Sequence, residues 1–176
     1  MADALGYQAT VDPLTGLYNL RHLTSRLENL MDEAKLNRGP LALIVCDLDN
    51  LKPINDTYGH QAGDLLLQAI SREMQNWALA GYICWRTGGD EFAAALPGAN
   101  AETAVAEAMR LGNAIDSLAI TLPDAIVRTS VSVGLALYPG DGDNVGSLLG
   151  TADRRMYEAK ADKAIEKRGS REGVAA

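Results

Sequence analysis

Asp47 and Asp49 stand one residue apart where an apolar run, Leu41–Cys46, stops abruptly, and a second acidic pair, Asp90-Glu91, follows Gly88-Gly89. Adjacent carboxylates repel one another unless a cation joins them. Two such pairs brought to one edge would offer hard oxygen donors suited to Mg²⁺ or Mn²⁺, with phosphates filling the remaining positions. Asp also caps turns, and that reading suffices for a bare Asp-x-Asp. The metal reading gains weight here because the aspartates end a buried strand and an acidic Gly-Gly hairpin lies farther along. Glycines at 88 and 89 make an ordinary tight turn, and they also let a flat base or a phosphate approach the backbone closely. Lys52 could reach a phosphate or be merely solvated. Asn55 and Asp64 flank a stretch containing Gly59 and Gly63. An Asp carboxylate accepts two parallel N–H donors, which matches the Watson–Crick edge of guanine and repels the N1 acceptor of adenine. Asp64 serves equally well as the acid of a helix N-terminus.

The elements that must position these residues follow from periodicity. Asp12–Leu17 reads as a turn, and Asn19 can cap a helix whose apolar stripe is Leu20, Leu23, Leu27, Leu30 and Ala34. Gly39-Pro40 stops that helix. Leu41–Cys46 is continuous and apolar, as a strand buried on both faces would be. After a polar stretch, 55–60, a second helix carries Leu66, Ile70, Met74 and Trp77 on one side. Tyr82–Trp85 and Glu91–Leu96 form a hairpin, with both turn glycines free to take positive φ. A third helix begins near Asn100 and buries Ala108, Leu111, Ile115 and Leu118. Val127–Leu137 is a strand, and a last helix from about Asn144 buries Leu148, Ala152, Met156 and Ala159. The order predicts an α+β fold of the ferredoxin type: a mainly antiparallel sheet covered by helices on one side.

The whole chain of 176 residues suits one domain. Residues 1–11 read as a lead or linker stub, 12–168 as the folded domain and 169–176 as a flexible tail. A net charge of −7 argues against a nucleic-acid polymer as partner, since phosphate backbones call for a basic face. It leaves room for a single nucleotide neutralised by a metal. No apolar run approaches membrane length, no export signal opens the chain, and Cys46 and Cys84 fit a pair of reduced thiols. The expectation is a cytoplasmic protein without membrane contact.

Taken in order, Asp12-Pro13-Leu14-Thr15-Gly16-Leu17, the stretch from Asp47 to Asp56, Tyr58-Gly59-His60, Gly63-Asp64 and Arg86-Thr87-Gly88-Gly89-Asp90-Glu91-Phe92 resemble the GGDEF-domain diguanylate cyclases. Ser132-Val133-Gly134 and the stretch from Ala152 to Lys160 are similar to that family's last strand and last helix, so the resemblance covers roughly residues 12–163. It implies an adenylyl-cyclase-like palm holding one GTP per domain. Two domains would face one another as a homodimer and join two GTP into cyclic di-GMP, releasing pyrophosphate. By similarity, Asp47, the Leu48 carbonyl, Asp90 and Glu91 would hold two Mg²⁺ or Mn²⁺ per site, with Asp47, Asp90 and Glu91 the catalytic acids. Asn55 and Asp64 would read guanine, with Leu14 lining its apolar pocket. The Asn50 and Leu51 amides, Lys52 and Lys160 would hold phosphates, and Gly88 and Gly89 would let the substrate approach. Arg86 would pair with Asp12 to brace the hairpin.

The sequence departs from the family in three places. An inhibitory product site, often Arg-x-x-Asp before the hairpin, is replaced here by Leu79-Ala80-Gly81-Tyr82. Ala164 stands where a phosphate-contacting arginine is usual, with Lys163 as a partial substitute, although a lysine is a point charge and not a planar fork. Leu20 replaces an arginine common after Asn19. An active cyclase is the leading reading, and a GTP-binding regulatory module that has lost turnover is the alternative. Members of the family are commonly fused to a sensory domain, and the chain reads as either an excised catalytic unit, with a fused or partner sensory domain, or a free-standing one. His22 and His60 are too isolated for a transition-metal site, His60 is expected to hydrogen-bond within its loop, and Trp77 and Trp85 belong to the core.

Overall fold

The computed structural model describes residues 10–172, with side chains described through residue 165; most of the expected lead and the end of the expected tail lie outside this range. The elements are β1 (Tyr18–Asn19), α1 (Leu20–Asn37), β2 (Leu41–Leu48), α2 (Leu51–Tyr58), α3 (His60–Leu79), β3 (Ile83–Arg86), β4 (Glu91–Pro97), α4 (Ala101–Asp116), β5 (Ala119–Leu122), β6 (Ala125–Arg128), β7 (Val131–Tyr138) and α5 (Val145–Glu172). Five strands form one sheet in the order β1-β3-β4-β2-β7, while β5 and β6 make a separate hairpin. β2 lies between β4 and β7 and is antiparallel to both, whereas β1 runs parallel to β3. The architecture is the α+β palm that the sequence predicts.

Helices cover both faces of the sheet, and not one. Along β2 the side chains alternate. Ala42, Ile44 and Cys46 face a core with Leu66, Ile70, Met74 and Trp77 of α3 and with Leu111 and Ile115 of α4. Leu41, Leu43 and Val45 face Leu23, Leu27 and Leu30 of α1 and Leu148 and Ala152 of α5. Every residue of β2 is therefore buried, which is why its sequence is apolar apart from Asp47 near its end.

Several local expectations hold. The Asn19 side chain caps α1 by accepting from the His22 N–H at 3.2 Å. Cys46 and Cys84 are buried free thiols, and burial pushes both up to about 12. Trp85 is fully buried, with its indole N–H donating to His22 Nδ1 at 3.0 Å.

Other expectations need correction. Leu20 is 52% exposed and lies off the buried stripe of α1. Met156 and Ala159 are only half-buried. The stretch 55–60 is not a loop: α2 occupies most of it, and His60 opens α3, exposed. Val127–Leu137 is not one strand, since the chain leaves β6 at Arg128 and starts β7 at Val131. α1 ends on Arg38, which adopts the left-handed conformation at φ 49°, and the Gly39 N–H then closes onto Ala34 O at 3.0 Å. Positive φ occurs at Gly16, Gly59, Gly81 and Gly98, and at neither hairpin glycine. α5 continues through Glu172, past residue 168.

α5 is seated by close backbone contact. A Cβ on Gly134 would come within 2.0 Å of Ala152 O. Arg155 fixes the same helix by pairing both Nη atoms with Asp141, at 2.7 and 2.8 Å, and by donating to Leu135 O at 2.7 Å. Among the described residues, no helix is long and apolar enough to cross a membrane.

Candidate active site

The antiparallel register of β2 and β4 sets Asp47 directly opposite Glu91. Side chains at such positions share a face, with Cβ atoms about 4.5–5.5 Å apart. Asp90 is brought alongside because the Leu48 N–H donates to its carbonyl at 3.1 Å. Both carboxyl groups are pushed up from the usual carboxylate range. For Asp47 the main cause is burial, opposed by Lys160 and reinforced by Asp90 and Asp49. For Glu91 it is burial of the carboxyl, reinforced by Asp47, Asp90 and Asp153. Like charges held together in this way are what a divalent cation relieves.

The charge already facing this rim is the ammonium of Lys160, which donates to Asp47 Oδ1. Contact with Asp47 raises the Lys160 pKa although burial opposes the shift. Among the described residues no three His, Cys, Asp or Glu side chains converge closely enough to hold a metal without movement. The donor set nonetheless fits Mg²⁺ or Mn²⁺: hard oxygens that repel one another, faced by the ammonium of Lys160.

Gly88 has a use that the turn reading missed. A Cβ there would sit 2.9 Å from Glu91 Oε2, so the missing side chain makes room for the carboxylate itself, while nothing lies within 4 Å of the Gly89 position. The hairpin is held from behind by Arg86, which donates to Asp12 Oδ1 at 3.0 Å and to Gly89 O at 2.9 Å. Asp12 in turn caps its own turn by accepting from the Thr15 N–H and hydroxyl at 3.0 and 2.6 Å. The Asp12–Arg86 brace expected from the resemblance is thus present.

Asn55 lies on α2 and Asp64 on α3, and the two helices meet at Gly63. A Cβ on Gly63 would fall 2.0 Å from Asn55 Oδ1. That oxygen is buried and has no hydrogen-bond partner, an arrangement that costs free energy unless a ligand satisfies it. Asp64 is exposed. One turn farther along α3, Gln68 donates to Leu14 O at 3.5 Å, so half-buried Leu14 lies over the same helix face as Asp64.

Asn50 precedes α2, whose first N–H groups have no intrahelical acceptor and suit an anion. Lys52 is exposed on the first turn. The Asn50 side chain is engaged with Thr129 and Arg128, and Asp49 accepts the Ser130 and Ser132 hydroxyls. Burial raises the Asp49 pKa, but these hydroxyls and Lys163 outweigh it and hold the group below the usual range. Asp49 therefore anchors the β2–α2 turn. Lys163 donates to Val131 O and lies 3.4 Å from Asp49.

Sequence reasoning did not single out Asp153, whose burial raises its pKa and whose charge acts on Glu91. It also missed the clearance at Gly63 and the Ser130–Ser132 latch. The Gly63-Asp64 pairing carried a signal for the first; hydroxyls in a short link carry none. Asp153, Glu91 and Leu20 also line a cavity of about 150 Å³, too small for a nucleotide, so a nucleotide at this site would lie on the open rim.

Comparison with known proteins agrees with this geometry. Residues 9–165 match the family described as "Diguanylate cyclase, GGDEF domain". Over 159 residues the chain is 33% identical to the response regulator PleD of Caulobacter vibrioides, covering 87% of this chain and 34% of that protein. Over 173 residues it is 39% identical to diguanylate cyclase TpbB of Pseudomonas aeruginosa, covering 96% of this chain and 38% of that protein. The chain thus spans well under half the length of these curated relatives. Among solved structures, the GGDEF domain of DgcB from Caulobacter crescentus, in complex with c-di-GMP, superimposes with a TM-score of 0.81 at 28% identity, covering 88% of this chain and 89% of that one. A form of TpbB comprising only the GGDEF domain gives 0.81 at 36% identity, covering 86% and 89%. With a family match running through its sheet, its acidic rim and most of its last helix, the chain belongs to the GGDEF-domain family.

Proposed function

We propose that this chain is a diguanylate cyclase that condenses two GTP into cyclic di-GMP across a homodimer. The observation that carries the reading is the cross-strand pairing of Asp47 with Glu91, with Asp90 alongside. In each half-reaction a ribose 3′-oxygen bonds to the α-phosphorus of the opposing GTP. The bond from that phosphorus to the β-phosphate bridging oxygen breaks, pyrophosphate departs, and the hydroxyl proton is lost to solvent. Two such events close the ring. The reacting atoms must come within about 3–3.5 Å, and one domain carries one nucleotide, so a lone protomer is inactive.

Asp47, the Leu48 carbonyl, Asp90 and Glu91 would hold two Mg²⁺ or Mn²⁺, ions that acidify the attacking hydroxyl and stabilise the leaving pyrophosphate when bound. Asn55 and Asp64 accept the guanine N–H groups, and Leu14 packs on the base. The Asn50 and Leu51 amides and Lys52 receive phosphate oxygens. Lys160 moves from Asp47 to the phosphates as the nucleotide enters. Gly88 and Gly89 keep the rim clear. The unit that does this is the stretch 12–168, acting in the cytoplasm under a fused or partner sensory domain. The turn Leu79-Ala80-Gly81-Tyr82 offers neither the arginine nor the aspartate of an inhibitory product site.

The second reading is a GTP-binding regulatory module with little turnover, and one observation favours it: Lys163 is tied to Asp49 and Val131, and Ala164 beside it brings no charge. Incubation with GTP and Mg²⁺ or Mn²⁺, followed by chromatography of the nucleotides, separates the two. Cyclic di-GMP from the wild type and none from Glu91→Gln is the expected result. GTP bound but unconverted at high protein concentration would establish the module.

A further inference from the structure

The turn between β2 and α2 is latched along one side. The Asp49 N–H donates to Ser130 O at 3.0 Å. The Asp49 carboxylate accepts from Ser130 Oγ and Ser132 Oγ. Asn50 accepts from Thr129 Oγ1 at 2.6 Å and donates to Arg128 O at 3.2 Å. These partners all belong to the segment 128–132, where β6 gives way to β7. Lys163 reaches the same place from a different element. From α5 its ammonium bridges the Val131 carbonyl and the Asp49 carboxylate, the latter at 3.4 Å.

Asp49 has a side chain only 7% exposed. Lys163 follows Lys160 by three positions, so the two ammonium groups leave α5 on one face and meet the two aspartates of Asp47-Leu48-Asp49 separately. Lys160 meets the acid of the rim; Lys163 meets the acid of the turn.

We propose that Lys163 is a positioning residue. By holding Asp49 against Val131 it keeps the Asn50 and Leu51 N–H groups aimed outward for the triphosphate, without touching the nucleotide. The proposal rests on the reading that these two amides receive phosphate. A turn that samples other conformations binds ligand more weakly in proportion to the time it spends away from the competent one. Losing the bridge therefore weakens GTP binding while leaving the reacting acids in place. The effect is on KM and not on kcat.

The test uses the whole chain with a non-hydrolysable GTP analogue and GTP itself. Lys163→Met keeps the aliphatic stem and removes the ammonium; Lys163→Arg keeps a charged donor. For Lys163→Met, the analogue Kd and the GTP KM should rise about five- to tenfold, with kcat within about twofold and Lys163→Arg recovering most of the loss. In an Asp49→Asn background the Met substitution should add little, because the two residues act through one contact. Full additivity would show that Lys163 meets the phosphates directly and would overturn the proposal, as would unchanged analogue affinity in Lys163→Met. Hydrogen exchange keeps the underlying reading separate. In the wild type the analogue should protect the Asn50 and Leu51 amides. Absence of that protection would remove the phosphate cradle and the proposal with it; protection present but equal in Lys163→Met would overturn the positioning role alone.

Discussion

Lys160 on α5 and Asp47 at the end of β2 form an ion pair at the rim where Glu91 and Asp90 also gather. The ammonium occupies the place that a divalent cation would otherwise contest. On the proposed function, metal and nucleotide would be coupled: a triphosphate would draw Lys160 away and free the Asp47 oxygen to hold the metal. Such coupling is reciprocal in free energy. For Lys160→Met, Mn²⁺ alone should bind about tenfold more tightly than to wild type, while the GTP analogue binds more weakly. Titration calorimetry with Mn²⁺ in the absence of nucleotide checks this, and equal affinities would show that the pair does not gate the metal.

The contact between Gly63 and Asn55 leads to a second prediction. Gly63→Ala would drive a methyl group onto the unpartnered Asn55 oxygen. The Asn55 side chain must leave its place, and on the proposed function guanine would lose one of the two residues that accept its N–H groups. GTP-analogue affinity should fall about tenfold or more, since a site built to bond N–H groups depends on each acceptor. Asn55→Ala should lose a similar amount, and the double substitution little beyond either. Calorimetry with the analogue reads the change; an unaltered Kd in Gly63→Ala would detach Asn55 from base recognition.

The Asp12–Arg86 brace sets a pH dependence. Burial raises the Asp12 pKa, but bonds from Thr15 and Arg86 outweigh it and hold the carboxyl below its ordinary value. A carboxylate depressed in the folded state stabilises the fold above its unfolded pKa of about 3.8. That stabilisation disappears as pH falls through the lower folded value. Asp12→Asn should cost about 1–2 kcal/mol at pH 7, lowering Tm by about 2–6 °C, with the gap to wild type narrowing as pH falls below 3.8. Thermal melts from pH 7 down to about pH 2 measure the convergence. A constant gap across that range would assign the loss to packing and not to charge.

The sheet and its acidic rim were legible because their signals are local and strong. The run Leu41–Cys46 of β2 is apolar because both faces of the strand are covered, and Asp47 and Asp49 follow it without transition. α2 escaped notice because Asn55, Asp56 and Thr57 have weak helix propensity and Pro53 reads as a breaker, yet Pro53 sits in the first turn, where no N–H is needed. The break between β6 and β7 escaped for a different reason. Thr129 and Ser130 turn aside to bond Asn50 and Asp49, partners 79 and 81 residues earlier in the chain. The glycine pair suggested positive φ, and the structure uses Gly88 for clearance under Glu91 instead. The acids of the site were readable as residue types; the lysines of α5 that pair with Asp47 and Asp49 could be assigned only once the helix was seated across β2 and β7.

The most direct measurement is a crystal structure of the protein with Mn²⁺ and a non-hydrolysable GTP analogue, using anomalous scattering to locate the metal. The expected result is manganese between Asp47 and Glu91, guanine against Asn55 and Asp64, and phosphates on the β2–α2 turn. Manganese bound away from that rim, or a nucleotide seated elsewhere on the sheet, would contradict it.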